Sequence, residues 1–310
     1  MDDAVASRAV ALRTERAAIL ALLVGAVATA FAPILVRLSE VGPSPTAFYR
    51  FLLAIPLYWA LALAVPGGGR RVRQEKPDGS KVYLLMAMAG AFIAGDMSAW
   101  HYSIIMTTVA NATLLLNVTP VFVVLGGWLL FRTRVTGTFM VGLTTAMAGV
   151  AVLSGASLAL SRTHVMGDLL GVVTAMFYAA YQLTVERLRR RFSTVTIMLY
   201  AMPVSAAVTL MVTLVSGEAM AVVTPAGWAV LVALAAGPQV LGQSLIAWAL
   251  AHLPASFVSV SLLVQPIVAA TVAWFLFNEG IGAQQAVGAV AVLTGIVIAR
   301  QGSARGNRDA

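Results

Sequence analysis

Residues 266–295, PIVAATVAWFLFNEGIGAQQAVGAVAVLTG, repeat the spacing of residues 120–149, PVFVVLGGWLLFRTRVTGTFMVGLTTAMAG. Pro120, Phe131, Gly142 and Gly149 fall opposite Pro266, Phe277, Gly288 and Gly295, and upstream Tyr102 falls opposite Trp248, all at one offset of 146 residues. Self-similarity at a fixed offset marks an internal repeat. Both copies lie in long apolar runs, so the repeating unit is a group of membrane helices.

The composition agrees. Of 310 residues, 60% are hydrophobic and 10% charged, with mean hydropathy +0.90, whereas a soluble domain carries about 25% charged residues. A helix needs ~20 apolar residues to span a bilayer. Ten such spans are predicted: 17–38, 46–65, 82–106, 109–131, 136–154, 168–188, 195–215, 226–249, 255–277 and 282–300. Little remains for a soluble domain, which excludes a water-soluble enzyme. With no cysteine there is no disulfide, thiolate metal site or cysteine nucleophile. The first span follows Arg8, Arg13 and Arg16 as a signal peptide would. Its apolar part is about twice a signal peptide's, so it reads as a retained helix. The sequons at Asn111 and Asn117 lie within an apolar span, which argues against glycosylation.

Basic residues orient the chain. With the N-terminus in the cytoplasm, ten spans place 17 of the 20 Lys and Arg on the cytoplasmic side, leaving Arg37, Arg50 and Arg162 outside or near the outer face. Both termini are then cytoplasmic. The net charge of +8 faces anionic lipid and requires no nucleic acid.

The offset of 146 pairs span 4 with span 9 and span 5 with span 10, while Arg37 pairs with Arg187 and Thr46 with Thr196 at an offset of 150. Each half thus holds five helices, and an odd number inverts the second half in the membrane. The expected fold is an all-α polytopic membrane protein of ten transmembrane helices in two inverted-topology five-helix repeats. Residues 1–16 form a cytoplasmic segment, 17–154 the first repeat, 155–167 a periplasmic linker, 168–300 the second repeat and 301–310 a basic tail. The charges fit: Arg132-Thr133-Arg134 follows Phe131, and Asn278-Glu279-Gly280 follows Phe277. Duplicated, inverted helical units are a usual build of secondary transporters.

Ten helices in two five-helix halves, mid-span prolines, and Pro266, Phe277 and Glu279 ahead of the Gly288/Gly295 helix resemble the EamA-type permeases of the drug/metabolite transporter superfamily. The first half departs from that pattern, with Thr133 where the second has Glu279. Within the superfamily the chain is most similar to bacterial amino acid exporters, the aromatic amino acid exporter group among them. The resemblance implies a multi-pass protein of the bacterial inner membrane that exports small polar or zwitterionic metabolites, amino acids foremost.

Polar residues at bilayer depth are expensive and informative. Asp96, Asn117, Tyr178, Gln239 and Gln265 fall at or near the middle of their spans, with Gln182 and Gln243 about one turn to the cytoplasmic side and Trp100 and His101 about one turn to the outer side. Asp96 with Trp100, Tyr178 with Gln182, and Gln239 with Gln243 are spaced i,i+4, which keeps each pair on one helix face. These nine form the candidate substrate layer, although hydrogen bonds between packed helices use the same residue types. Asp96, the one carboxylate near mid-membrane, can carry a proton, meet a substrate ammonium, or bond to a neighbouring helix. Arg37 and Arg50 are expected to snorkel.

Pro33, Pro56, Pro120, Pro203, Pro238 and Pro266 lie within spans as candidate hinges. The glycines repeating every seven residues give smooth faces, for internal packing or a homodimer. A membrane enzyme would need a histidine or carboxylate cluster, but His101, His164 and His252 stand on separate segments. A channel would need charge rings or a filter motif. A multidrug permease of the same superfamily is the nearer alternative. The expected partners are a small-molecule substrate and the bilayer, with no cofactor, metal or catalytic residue.

Overall fold

The computed structural model describes residues 2–64, 68–107, 114–153, 165–277 and 282–306, and these contain helices and turns but no strand. The helices are α1 Asp2–Ala30, α2 Ala32–Arg37, α3 Pro43–Ala64, α4 Gly68–Gln74, α5 Ser80–Met106, α6 Thr119–Phe131, α7 Gly137–Leu153, α8 Val165–Arg189, α9 Thr194–Ser216, α10 Pro225–Leu234, α11 Gln243–Ala249, α12 Ala255–Ser261, α13 Gln265–Phe277 and α14 Ala283–Gly306. A π-helical stretch, Ala235–Gly242, joins α10 to α11, and a 3-10 turn, Leu262–Val264, joins α12 to α13. Among the described residues, nine helical segments are long and apolar enough to cross a membrane, and α7 is a shorter apolar helix. Asn111, Arg162, His164 and Glu279 lie outside the described residues.

The breaks follow the prolines. A proline ring clashes with the carbonyl four residues back and leaves it without its amide donor. Proline is tolerated in the first helical turn, where amides are unpaired in any case. Pro33, Pro120 and Pro266 each occupy the second position of a restarted helix. At Pro120 the freed Leu116 carbonyl accepts the Thr119 hydroxyl at 2.6 Å. At Pro266 the Leu262 carbonyl accepts the Gln265 N–H. Pro238 lies inside the π-helical stretch. Pro56 and Pro203 interrupt nothing: α3 and α9 run through them.

The largest helix contacts join the two halves of the chain. α7 packs on α14, α5 on α8, α9 on α3 and α5, and α1 on α11 and the π-helical stretch. The α7–α14 seam is built on glycine. A Cβ at Gly142 would lie 2.3 Å from Ala299 N, and one at Gly295 would lie 2.4 Å from Ala146 N. Gly149, Gly288 and Gly302 meet backbone equally closely across the same seam. The glycine faces left open by the sequence are thus used within the chain. Leu63, Leu129, Leu130 and Val215 project from the bundle, an apolar exterior suited to lipid.

Candidate binding cavity

Two broken helices meet at mid-bundle. The turn at 117–118 precedes α6, and the 3-10 turn precedes α13. Between them lies a cavity of about 40 Å3 lined by Leu116, Asn117, Thr119, Pro120, Tyr178, Gln182, Ser259, Leu262, Leu263 and Gln265. That volume admits a few waters at ~10–15 Å3 each, well short of the ~300 Å3 of a typical small-molecule site. Pro120 and Pro266 stand 146 residues apart in the sequence, and one break on each side of the cavity carries one of them. Four of the nine residues chosen from sequence, Asn117, Tyr178, Gln182 and Gln265, line this space. Gln265 Nε2 donates to Thr29 Oγ1 at 2.6 Å, tying α13 to α1. Tyr178 stacks on Tyr181 with centroids 5.9 Å apart, and the Gln243 side chain stands beside the Tyr178 hydroxyl.

The other residues form an adjoining layer. Asp96, Trp100 and His101 are buried on α5, and the Trp100 and His101 rings lie 5.4 Å apart. Gln239 is fully buried, but it does not line the cavity. Its Oε1 accepts from Arg50 Nε at 2.9 Å, its Nε2 lies 3.4 Å from Met202 Sδ, and its carbonyl accepts the Tyr58 hydroxyl at 3.1 Å.

Arg50 corrects the sequence reading. It does not snorkel: it is 4% exposed and held between Gln239 and Met97, with Nη1 3.5 Å from Met97 Sδ. Helix α3 begins at Pro43, which sets Arg50 seven residues, or about 10 Å, into the bundle. The predicted span began three residues later, so Arg50 looked shallower than it is. A charge flanked by Phe48, Tyr49, Phe51 and Leu52 was the available signal. Arg37, by contrast, is exposed at the end of α2.

Hydrogen-bond satisfaction singles out this layer. Most buried polar side-chain atoms in folded proteins are paired. Among the described residues, eight buried side-chain nitrogens and oxygens lack a partner. Seven of them belong to Asp96, Trp100, His101, Gln182 and Gln243, and the eighth to Thr194. His101 is unpaired at both ring nitrogens, and Gln182 at both ends of its amide. The Arg50 and Asp96 charges act on one another, yet the only ion pairs within 4.0 Å among the described residues are Arg71–Glu75 and Arg300–Glu15. Such a layer can take up a polar solute through groups already desolvated. No group of three metal-ligating side chains occurs among the described residues.

The chain matches the EamA-like transporter family twice, over residues 16–155 and 165–301. It is 28% identical over 279 residues to an uncharacterized transporter of Archaeoglobus fulgidus, covering 87% of this chain and 92% of that protein. A solved crystal structure aligns with 94% of this chain and 99% of its own, with a TM-score of 0.77 and 18% identity, a likeness of fold. With apolar helices long enough to cross a membrane and two matches that together span most of its length, this multi-pass membrane protein belongs to the EamA-like transporter family.

Proposed function

We propose that the chain is a ten-span secondary transporter of the bacterial inner membrane, not an enzyme, and that it exports small zwitterionic metabolites, amino acids foremost, by alternating access. The observation that carries this reading is the clustering of unpaired buried polar atoms on Asp96, Trp100, His101, Gln182 and Gln243. A layer used only to glue helices together would pair its own groups. One that receives a hydrogen-bonding solute keeps donors and acceptors for it. Trp100, one turn from Asp96, offers an indole face to an apolar or aromatic side chain.

The helix pairing supports two inverted five-helix repeats with α7 as a fifth span. Contacts of α5 with α8 have a counterpart in those of α11 with α1 when the halves are exchanged, and α6 with α8 has one in α13 with α1. α7 with α14, and α3 with α9, map onto themselves. Such a pairing fits a pseudo-two-fold axis in the membrane plane. The small cavity between the two breaks then suits a substrate path too narrow here to hold an amino acid. Widening it requires the segments around Pro120 and Pro266 to move.

Counterflow of a panel of labelled amino acids in liposomes, with and without a pH gradient, tests the reading. Saturable exchange of at least one amino acid is expected. Exchange of none, with uptake of apolar cations instead, replaces it with multidrug transport. Reporter fusions after residue 66 and residue 310 should read cytoplasm and one after Gly217 outside. A C-terminus outside removes the inverted repeat.

A further inference from the structure

Two buried side chains of opposite type, Arg50 and Asp96, stand in the bundle without forming an ion pair. Arg50, on α3, is fixed from one side: its Nε donates to Gln239 Oε1 at 2.9 Å and its Nη1 rests 3.5 Å from Met97 Sδ. Met97 neighbours Asp96 in sequence, so the guanidinium lies against α5 at the level of Asp96. Asp96 is 2% exposed, and its Oδ1 has no hydrogen-bond partner. The two side chains nonetheless come no closer than 4.0 Å, N to O. A pair built only for stability would close that gap, because two desolvated charges recover their solvation cost only in good contact geometry.

We propose that Arg50 and Asp96 form a clamp for the backbone of an α-amino acid, with the guanidinium taking the carboxylate and Asp96 taking the ammonium. The proposal rests on the amino acid reading above and adds to it the groups that select for a zwitterion. An α-amino acid carries its two charges on one carbon, so it can bridge fixed groups of opposite sign that do not meet. A guanidinium fork matches a carboxylate in plane and spacing, and Gln239 holds Nε so that the fork is set before the substrate arrives. Asp96 Oδ1 supplies an acceptor that is already buried. Tyr178 connects the two places: it lines the cavity between the helix breaks and also lies within the fields of Arg50 and Asp96. Neither Arg50 nor Asp96 lines that cavity, so the proposed clamp is reached only when the helices around the cavity part. Selection would act on the free carboxylate and ammonium and less on the side chain.

The experiment uses the full chain in liposomes and counterflow of labelled L-phenylalanine, L-leucine and L-threonine. The amide of each exchanged amino acid, which lacks the carboxylate, and its N-acetyl form, which lacks the ammonium, serve as competitors. Both should compete at least tenfold less well than the parent. If either competes as well as the parent, the clamp is wrong while the amino acid reading stands. If no amino acid exchanges, both fall. Arg50→Gln and Asp96→Asn should each weaken apparent affinity at least tenfold, and the double variant should be no better than the worse single. Recovery of exchange in the double variant would show that the pair is structural, since neutralising both charges leaves no charge stranded. Arg50→Lys keeps the charge without the fork and should fall between wild type and Arg50→Gln. The competitor comparison needs only the wild-type chain, so it stands if a variant fails to fold.

Discussion

Gly142→Ala probes the α7–α14 seam where it is tightest. The added methyl would lie 2.3 Å from Ala299 N, 2.6 Å from Gly295 O and 2.7 Å from Ala299 Cα. All three are backbone atoms of a helix, so no rotamer change can relieve the contact. Ordinary contact lies near 3.4 Å, so the helices must part by roughly 1 Å at this level. Separation by even 0.5–1 Å forfeits a quarter to a half of each dispersion well along the seam. Overpacking costs about 1–3 kcal/mol, and a clash with rigid backbone belongs in the upper part of that range. Alanine returns at most ~1 kcal/mol of helix propensity. The expected net loss is about 1–2 kcal/mol, so the steric effect wins. Gly137→Ala, where nothing lies within 4 Å, is the control and should be neutral or slightly stabilising. Reversible unfolding of the two purified variants in one detergent measures the difference. Equal stability of Gly142→Ala and Gly137→Ala would refute the claim that α7 and α14 pack directly on each other through glycine. A Gly142→Ala variant of full stability that loses an oligomer would instead assign the glycine face to a homodimer.

Asp96→Asn should fold and weaken transport about ten- to hundredfold, the equivalent of ~1.5–3 kcal/mol for a charge-assisted hydrogen bond. Counterflow retained with loss of the response to a pH gradient would make Asp96 a proton carrier, and unchanged kinetics would make it structural. Cysteines placed singly at Asn117, Tyr178, Gln182, Gln243 and Gln265 in this Cys-free chain should react with a small polar thiol reagent and be protected by substrate; if most stay unreactive, the layer is helix glue. Glu75 lies outside the spans, and its Oε2 accepts the Ser193 N–H at 2.8 Å and the Thr196 hydroxyl at 2.7 Å. Partial burial pushes its carboxyl up, but the Ser193 and Thr196 bonds outweigh that and hold it below the ordinary glutamate value. A lowered folded value means that the contact stabilises above the ordinary glutamate range and is lost as pH falls through the folded value. Thermal stability should therefore drop in acid, with a smaller acid-dependent drop in Glu75→Gln; identical pH profiles would remove Glu75 as a latch on α9.

The helices were legible because membrane spans announce themselves by apolar length, which is a local property. The predicted bounds 46–65 and 195–215 fall within three residues of Pro43–Ala64 and Thr194–Ser216. Position along a helix likewise follows from counting, and the cost of polarity within a span limits what can stand there. Counting cannot show which groups meet. Gln239 was counted among the candidate substrate residues, yet it turns to Arg50, 189 positions away. Nor can counting place a boundary to better than a turn, which is how Arg50 was set too near the surface. Helices restart at Pro120 and Pro266, whereas α3 and α9 run through Pro56 and Pro203, a difference that a proline in the sequence does not announce.

The contacts between the halves differ in kind with depth, and in the proposed mechanism that difference orders the motion. Near the start of α3, Glu218 accepts from Ser44 N and Ser44 Oγ at 3.1 and 2.8 Å, so the second half caps a helix of the first. The exchange is mutual: Glu40 of the first half accepts the Thr224 N–H at 3.1 Å ahead of α10. Tyr49 joins the same end of the bundle, donating to the Met220 carbonyl at 2.9 Å. At the opposite end Glu75 caps α9. A carboxylate that leaves a helix N-terminus at a membrane surface is met by water, so each cap can open with modest net loss. Arg50 and Asp96 have no such recourse at mid-bundle, where a separated charge stays desolvated. In the proposal, a zwitterion between them would give Arg50 a carboxylate and Asp96 an ammonium at once. Substrate binding then lowers the energy of the deep layer while either set of surface caps remains free to open, as a carrier alternating between two faces requires.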